Sequence, residues 1–196
     1  MGTEVALRDL ADIQMGYSFR AGVSHDPGAP LAVVQMKDLG DDGLVDFSAL
    51  ARVSMDVRAG RLLRAGDVVF RSRGDRATCA IVAADPEPAL LAAPLLLLRV
   101  RKPQRVLPAY LTWFINQPPA QAYLAKHAEG SNVKMVTIAT LGNLPIQAPT
   151  MERQSAVVEL AGLSARERML EDRIVVARER LVSGILMTYV QGGVAE

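Results

Sequence analysis

The sequence predicts an α+β protein: a mixed-sheet domain followed by one long C-terminal coiled-coil-type helix. Three observations carry this prediction. Short runs rich in Val, Leu and Ile, bounded by Gly, Pro and Asp, recur between residues 31 and 100, as buried strands separated by turns do. Two proline-opened segments with helical spacing of apolar residues come next. From Met151 to Tyr189 there is no proline and the only glycines are Gly162 and Gly184. Over that stretch Leu160, Leu163, Leu170, Ile174, Ala177, Leu181 and Ile185 recur at steps of three, four or seven, with Glu167 on the same seam, which marks an amphipathic helix.

Taken in order, Leu31 to Met36, Val68 to Arg71, Cys79 to Ala83 and Leu95 to Val100 read as strands of one mixed sheet. Pro108 suits a first helical turn, and Leu111, Phe114 and Ile115 share a face of the segment to Gln117. Pro119 opens a second helix carrying Ala122, Tyr123 and Lys126, with Gly130 as its stop. Leu144 to Gln147 reads as a last strand ending at Pro149. Trp113, Phe114 and Leu95 to Leu98 are expected in the core. The boundaries are then a domain over 1–149, a long helix over 150–191 and a disordered tail over 192–196. Taken as about 38 residues at about 1.5 Å each, the helix is roughly 57 Å long, too long to lie wholly on its own domain. Its apolar stripe therefore calls for a partner, the alternative being a helix folded back on the domain.

The chain has 196 residues, half of them hydrophobic and 22% charged, which excludes a disordered class. Cys79 is the one cysteine, so no intrachain disulfide forms, and a reducing cytoplasm is the expected compartment. The first residues lack a signal-peptide pattern, and the apolar run Ala89 to Leu98 is too short to span a bilayer. Net charge is +1, but the charge is uneven. Arginines 52, 58, 61, 64, 71, 73 and 76 face only aspartates 56, 67 and 75 over the same interval, and Arg99, Arg101, Lys102 and Arg105 follow without an acid. Phosphates respond to such local patches rather than to net charge. The competing reading is a set of ordinary solvated arginines.

Catalytic chemistry is not in view. His25, expected to be solvated in a Gly/Pro/Asp loop, and His127 stand apart, without partners at metal-ligand spacing. Neither a phosphate-binding loop nor a dinucleotide fingerprint occurs, and no Gly-x-Ser-x-Gly elbow is present. Asn116-Gln117-Pro118-Pro119 departs from the Asn-Pro-Pro-Tyr motif of adenine methyltransferases and reads as a helix-to-helix turn. No catalytic residue, metal or cofactor is expected.

Four stretches together resemble the target-recognition domains of type I restriction-modification specificity subunits, in that family's order. They are Leu7 to Arg20, with Gly16 before Tyr17; Gly66-Asp67-Val68-Val69-Phe70-Arg71-Ser72-Arg73-Gly74; Leu107-Pro108-Ala109-Tyr110-Leu111 with the later Gly130-Ser131-Asn132-Val133-Lys134; and Leu144-Pro145-Ile146-Gln147-Ala148-Pro149 with Glu152 and Gln154. The resemblance covers essentially the whole chain. It implies a non-catalytic, sequence-specific DNA-binding subunit that docks DNA methyltransferase subunits, with a restriction subunit as a further expected partner. The usual member carries two recognition domains and two long helices, whereas this chain has one of each. Either the chain is a fragment or natural half-subunit, or a homodimer joined through Leu160, Leu163, Leu170, Ile174, Ala177, Leu181 and Ile185, reading a bipartite inverted-repeat site on double-stranded DNA, restores the pair.

For DNA contact the first candidate is the loop Arg71, Ser72, Arg73, Gly74 and Arg76, because arginine clamps phosphate or guanine and glycine lets backbone approach. A solvated hairpin tip is the alternative. Gly16, Tyr17, Ser18 and Arg20 form a second candidate, with Tyr17 equally a core residue. Ser131, Asn132 and Lys134 form a third, and Lys37 joins them unless it is merely an exposed strand-end lysine. Competing functions are a scaffold protein whose basic loop only solubilises it, and the recognition module of a fused restriction-methylation enzyme.

Overall fold

The computed structural model describes residues 3–40, 42–74, 77–131 and 133–192. Its first compact unit runs to Val158 and its second starts at Glu159. The strands of the first unit are β1 (Thr3–Ala6), β2 (Ala11–Met15), β3 (Leu31–Val34), β4 (Ala51–Val53), β5 (Val68–Arg71), β6 (Cys79–Ile81), β7 (Ala89–Leu91), β8 (Leu95–Val100) and β9 (Pro145–Ala148). Its helices are α1 (Pro108–Ile115), α2 (Pro118–His127), α3 (Ile138–Gly142) and the first two turns of α4 (Met151–Val190).

The strands do not form the single mixed sheet expected from sequence. An antiparallel sheet has the order β2-β8-β5-β6, a mixed one the order β4-β3-β7, and β1 pairs with β9. In the mixed sheet β3 runs antiparallel to β4 and parallel to β7. Strands buried on both faces are apolar throughout, so their composition does not say which sheet each joins.

Alternation of side chains builds the layers. Val68 and Phe70 of β5 and Leu96 and Leu98 of β8 enter a core with Tyr110, Leu111 and Ile115 of α1, Leu124 of α2 and Leu141 of α3. Their neighbours Val69, Leu95 and Leu97 point to the other side, onto Ala32 and Val34 of β3 and Leu91 of β7. Leu31, Val33 and Leu90 then face outward from the mixed sheet and are covered by Phe19, Val23, Met55 and Leu62. The order is thus helices, antiparallel sheet, mixed sheet, covering loops. Each fully buried Leu or Phe stabilises this stack by about 1.5–3 kcal/mol.

Polar clasps fix the edges. Asn116, in the turn between α1 and α2, accepts from the Cys79 N–H (2.8 Å) and donates to the Cys79 carbonyl (2.9 Å), closing the free side of β6. The Tyr110 hydroxyl donates to the Gln147 carbonyl at 2.7 Å. Gln154 is fully buried. It accepts from the Leu107 N–H and donates to the carbonyls of Arg105 and Pro149, each at 2.9 Å. His25, expected to be merely solvated, accepts from the Arg52 N–H at 3.1 Å and so ties its loop to β4. α2 ends at His127, ahead of Gly130. That glycine instead turns the next loop at φ +103°, where a Cβ would sit 2.5 Å from the Val133 carbonyl oxygen.

In the second unit α4 continues to Val190 and closes in a turn at Gln191 and Gly192; residues 193–196, the rest of the expected tail, lie outside the described residues. No helix among the described residues is long and apolar enough to cross a membrane.

Candidate nucleic-acid interface

Strands β2 and β5 both run antiparallel to β8, so their C-terminal ends meet at the N-terminal end of β8. Segments far apart in sequence converge there. Gly16 donates to the Leu95 carbonyl (2.8 Å) and Tyr17 to that of Leu91 (2.6 Å), while the Ala93 N–H donates back to Tyr17 (2.8 Å). Just past β5, the Ser72 carbonyl accepts from Val136 (2.8 Å) and the Gly74 N–H donates to Lys134 (3.2 Å). The Arg71 guanidinium donates to the Met36 carbonyl at 2.6 Å, bringing in the 3-10 turn Met36–Asp38. Segments 15–20, 36–38, 71–74, 129–131 and 133–136 thus meet at one end of the antiparallel sheet.

Lys37, Arg73, Lys134, Ser131, Ser18 and Arg20 are exposed in these segments. Glu129 is also exposed there, whereas Asp38 is buried and accepts from the Gln35 N–H. Cations therefore outnumber acids among the described residues. Arg71 is half-buried, and its Nε, buried among the described residues, finds no hydrogen-bond partner. Ser72 departs from expectation. It is buried, and its hydroxyl donates to the Pro94 carbonyl, so its side chain belongs to the scaffold. Gly16 is needed for close approach, since a Cβ there would meet the Ala92 carbonyl carbon at 2.6 Å. Tyr17 is exposed and leans on Phe19, ring centroids 5.1 Å apart. Arg76 and Asn132 lie outside the described residues.

Several arginines of the basic runs are structural. Arg99 grips Asp67 through two bonds, Nε to Oδ1 at 2.7 Å and Nη2 to Oδ2 at 2.6 Å, and donates to the carbonyls of Gly60 and Leu62. The hydrogen bond to Asp67 raises the Arg99 pKa. Arg52 spans Glu87 and the carbonyls of Ala29 and Pro30, and Arg61 donates to Met15. Burial pushes the Cys79 thiol well above its ordinary pKa, so it stays protonated and offers no nucleophile. Among the described residues no group of three or more His, Cys, Asp and Glu is placed to hold a metal ion.

In the second unit the seam residues Leu160, Leu163, Leu170, Ile174, Leu181 and Ile185 are 50 to 67% exposed, and Ala177 is exposed with them. A second row went unnoticed in the sequence. Val175, Val182, Leu186 and Tyr189, at steps of seven, four and three, lie beside the first row on a 3.6-residue helix and are equally uncovered. Two adjacent seams cancel much of the one-sided periodicity that a single-stripe search looks for.

Solved structures resemble the chain in fold. The HsdS subunit from Thermoanaerobacter tengcongensis matches with a TM-score of 0.65 at 20% identity, over 95% of this chain and 44% of that one. A chain from a structure on complex assembly and conformational transition of the type I R-M system matches with a TM-score of 0.69 at 19% identity, over 95% and 45%. The type I restriction-modification S subunit from M. genitalium gives 0.57 at 14%, over 91% and 43%. The chain therefore spans less than half the length of each of these matched chains. No family model matches the sequence, and no curated protein matches it.

Proposed function

We propose that the chain is a DNA-specificity subunit of a type I restriction-modification system, a non-catalytic half-subunit that binds double-stranded DNA. The observation carrying this is the convergence of Lys37, Arg71, Arg73 and Lys134 from distant segments onto one end of a sheet, with exposed Arg20 following Tyr17 by three residues. Cations gathered on a rigid scaffold suit phosphate contact and base-edge hydrogen bonds. Arg76 and Asn132 join the candidate set from sequence alone, with Gly16 and Gly74 as backbone-approach positions and Ser72 as their support. In this reading two copies pair along the Leu160 to Ile185 seam to read a bipartite inverted repeat. The second row, Val175 to Tyr189, is offered to methyltransferase subunits, with a restriction subunit joining through them. The compartment is the cytoplasm.

The test is duplex binding across a salt series. Log affinity falls linearly with log salt if phosphates are neutralised, and Arg73→Gln and Lys134→Gln each flatten the slope by about 1. A slope near zero for the unaltered protein would instead make the chain a scaffold.

A further inference from the structure

Among the described residues of the first unit, the exposed large apolar side chains are Met15, Tyr17, Met36, Leu44, Val133, Met135 and Ile138. All but Leu44 fall on or next to the segments that meet at the cationic end of the sheet. Contact with phosphates alone gives no reason for this concentration, because a methionine set against a sugar-phosphate backbone loses water without gaining an apolar partner.

Two of these residues have their main chain held beside cations. Met135 exchanges both main-chain hydrogen bonds with Glu129 (2.8 and 2.9 Å), bridges Arg73 and follows Lys134. It is nevertheless 40% exposed. Met36 precedes Lys37, has its carbonyl held by Arg71 and is 36% exposed. An unbranched thioether between cations is an adaptable apolar contact with charge-guided approach on either side. The apolar group that an intact duplex presents within reach of such a surface is the 5-methyl of thymine, which lies in the major groove; the minor groove offers none.

Resting on the DNA-binding reading above, we infer that this end of the sheet enters the major groove and that Met36 and Met135 read thymine methyl groups. The recognised half-site accordingly contains at least one thymine whose methyl is buried on binding.

The experiment starts from a duplex selected by the full chain out of a random pool and replaces its thymines one at a time by deoxyuridine. This removes the methyl and keeps every hydrogen-bonding group. At one or more positions affinity falls about fourfold, the factor for one lost buried methyl. At that position Met135→Ala or Met36→Ala binds the thymine and uracil duplexes equally, while its salt slope matches the unaltered protein. Tight, salt-dependent binding that is indifferent to uracil at every position overturns the inference and leaves the DNA-binding reading standing. So does a selected half-site without thymine, and so do methionine variants that keep the full thymine preference. Failure to select any duplex ends both.

Discussion

Arg99 belongs to a basic run of the sequence, yet its guanidinium faces inward and closes the Gly60 to Leu62 turn onto Asp67. Asp67 is 2% exposed as a side chain and Arg99 15%, so neither is screened by water as a surface pair is. Removing one partner of such a pair strands the other charge. Asp67→Ala is expected to cost about 3–5 kcal/mol, measured by urea unfolding. The folded fraction should keep its DNA affinity, because the free cations of the sheet end do not touch this pair. A variant as stable as the parent would show that water satisfies Arg99 instead. The same pair marks the limit of reading charge from sequence: a run of arginines is visible, but which of them are tied to carbonyls, as Arg52, Arg61 and Arg99 are, depends on chain segments dozens of residues away.

At the scale of the element, Gln154 explains why α4 begins where it does. The helix has Glu152 in its first turn, which suits the dipole, but the decisive contacts are the three amide bonds of Gln154 to Leu107, Arg105 and Pro149. Gln154→Leu keeps the bulk and loses all three, leaving buried main-chain groups without partners at about 1–3 kcal/mol each. The expected outcome is a loss of about 3 kcal/mol or more in stability, with early amide exchange at Leu107. Unchanged exchange there would refute the clasp. The strongly patterned elements, β5, β8, α1 and α4, were legible within a residue or two, because burial on both faces or a long period marks them. β1, β2, β4, β7 and α3 were not. Three to five residues each, they owe their form to partners elsewhere in the chain, and β2, with Asp12 and Gln14, lacks the apolar composition of an interior strand. The three candidate loops and Lys37 stand apart in the sequence, and the meeting of their described residues at one end of the sheet is not readable there, since it follows from the β2-β8-β5 order.

In the whole molecule, the two apolar rows of α4 call for a covering surface. At 40 residues and about 1.5 Å per residue the helix is about 60 Å long, and Leu170, Ile174, Leu181 and Ile185 lie bare along it. Each buried leucine in a helical seam contributes about 1.5–3 kcal/mol, so a glutamate in its place weakens self-association at least tenfold. Two recognition units held by one spacer bind an inverted repeat with an effective local concentration that a single unit lacks, raising apparent affinity by about 10² or more. The expected result is therefore a pair of linked changes. If two copies pair as proposed, Leu170→Glu with Leu181→Glu converts dimer to monomer by sedimentation at micromolar concentration, and the same variant binds an inverted-repeat duplex no better than a single half-site. Its affinity for the single half-site stays at the parent value, because the seam is remote in sequence from Lys37, Arg73 and Lys134. A variant that becomes monomeric yet keeps its preference for the repeat would separate pairing from site reading. A parent that is already monomeric would assign both rows of the helix to other subunits.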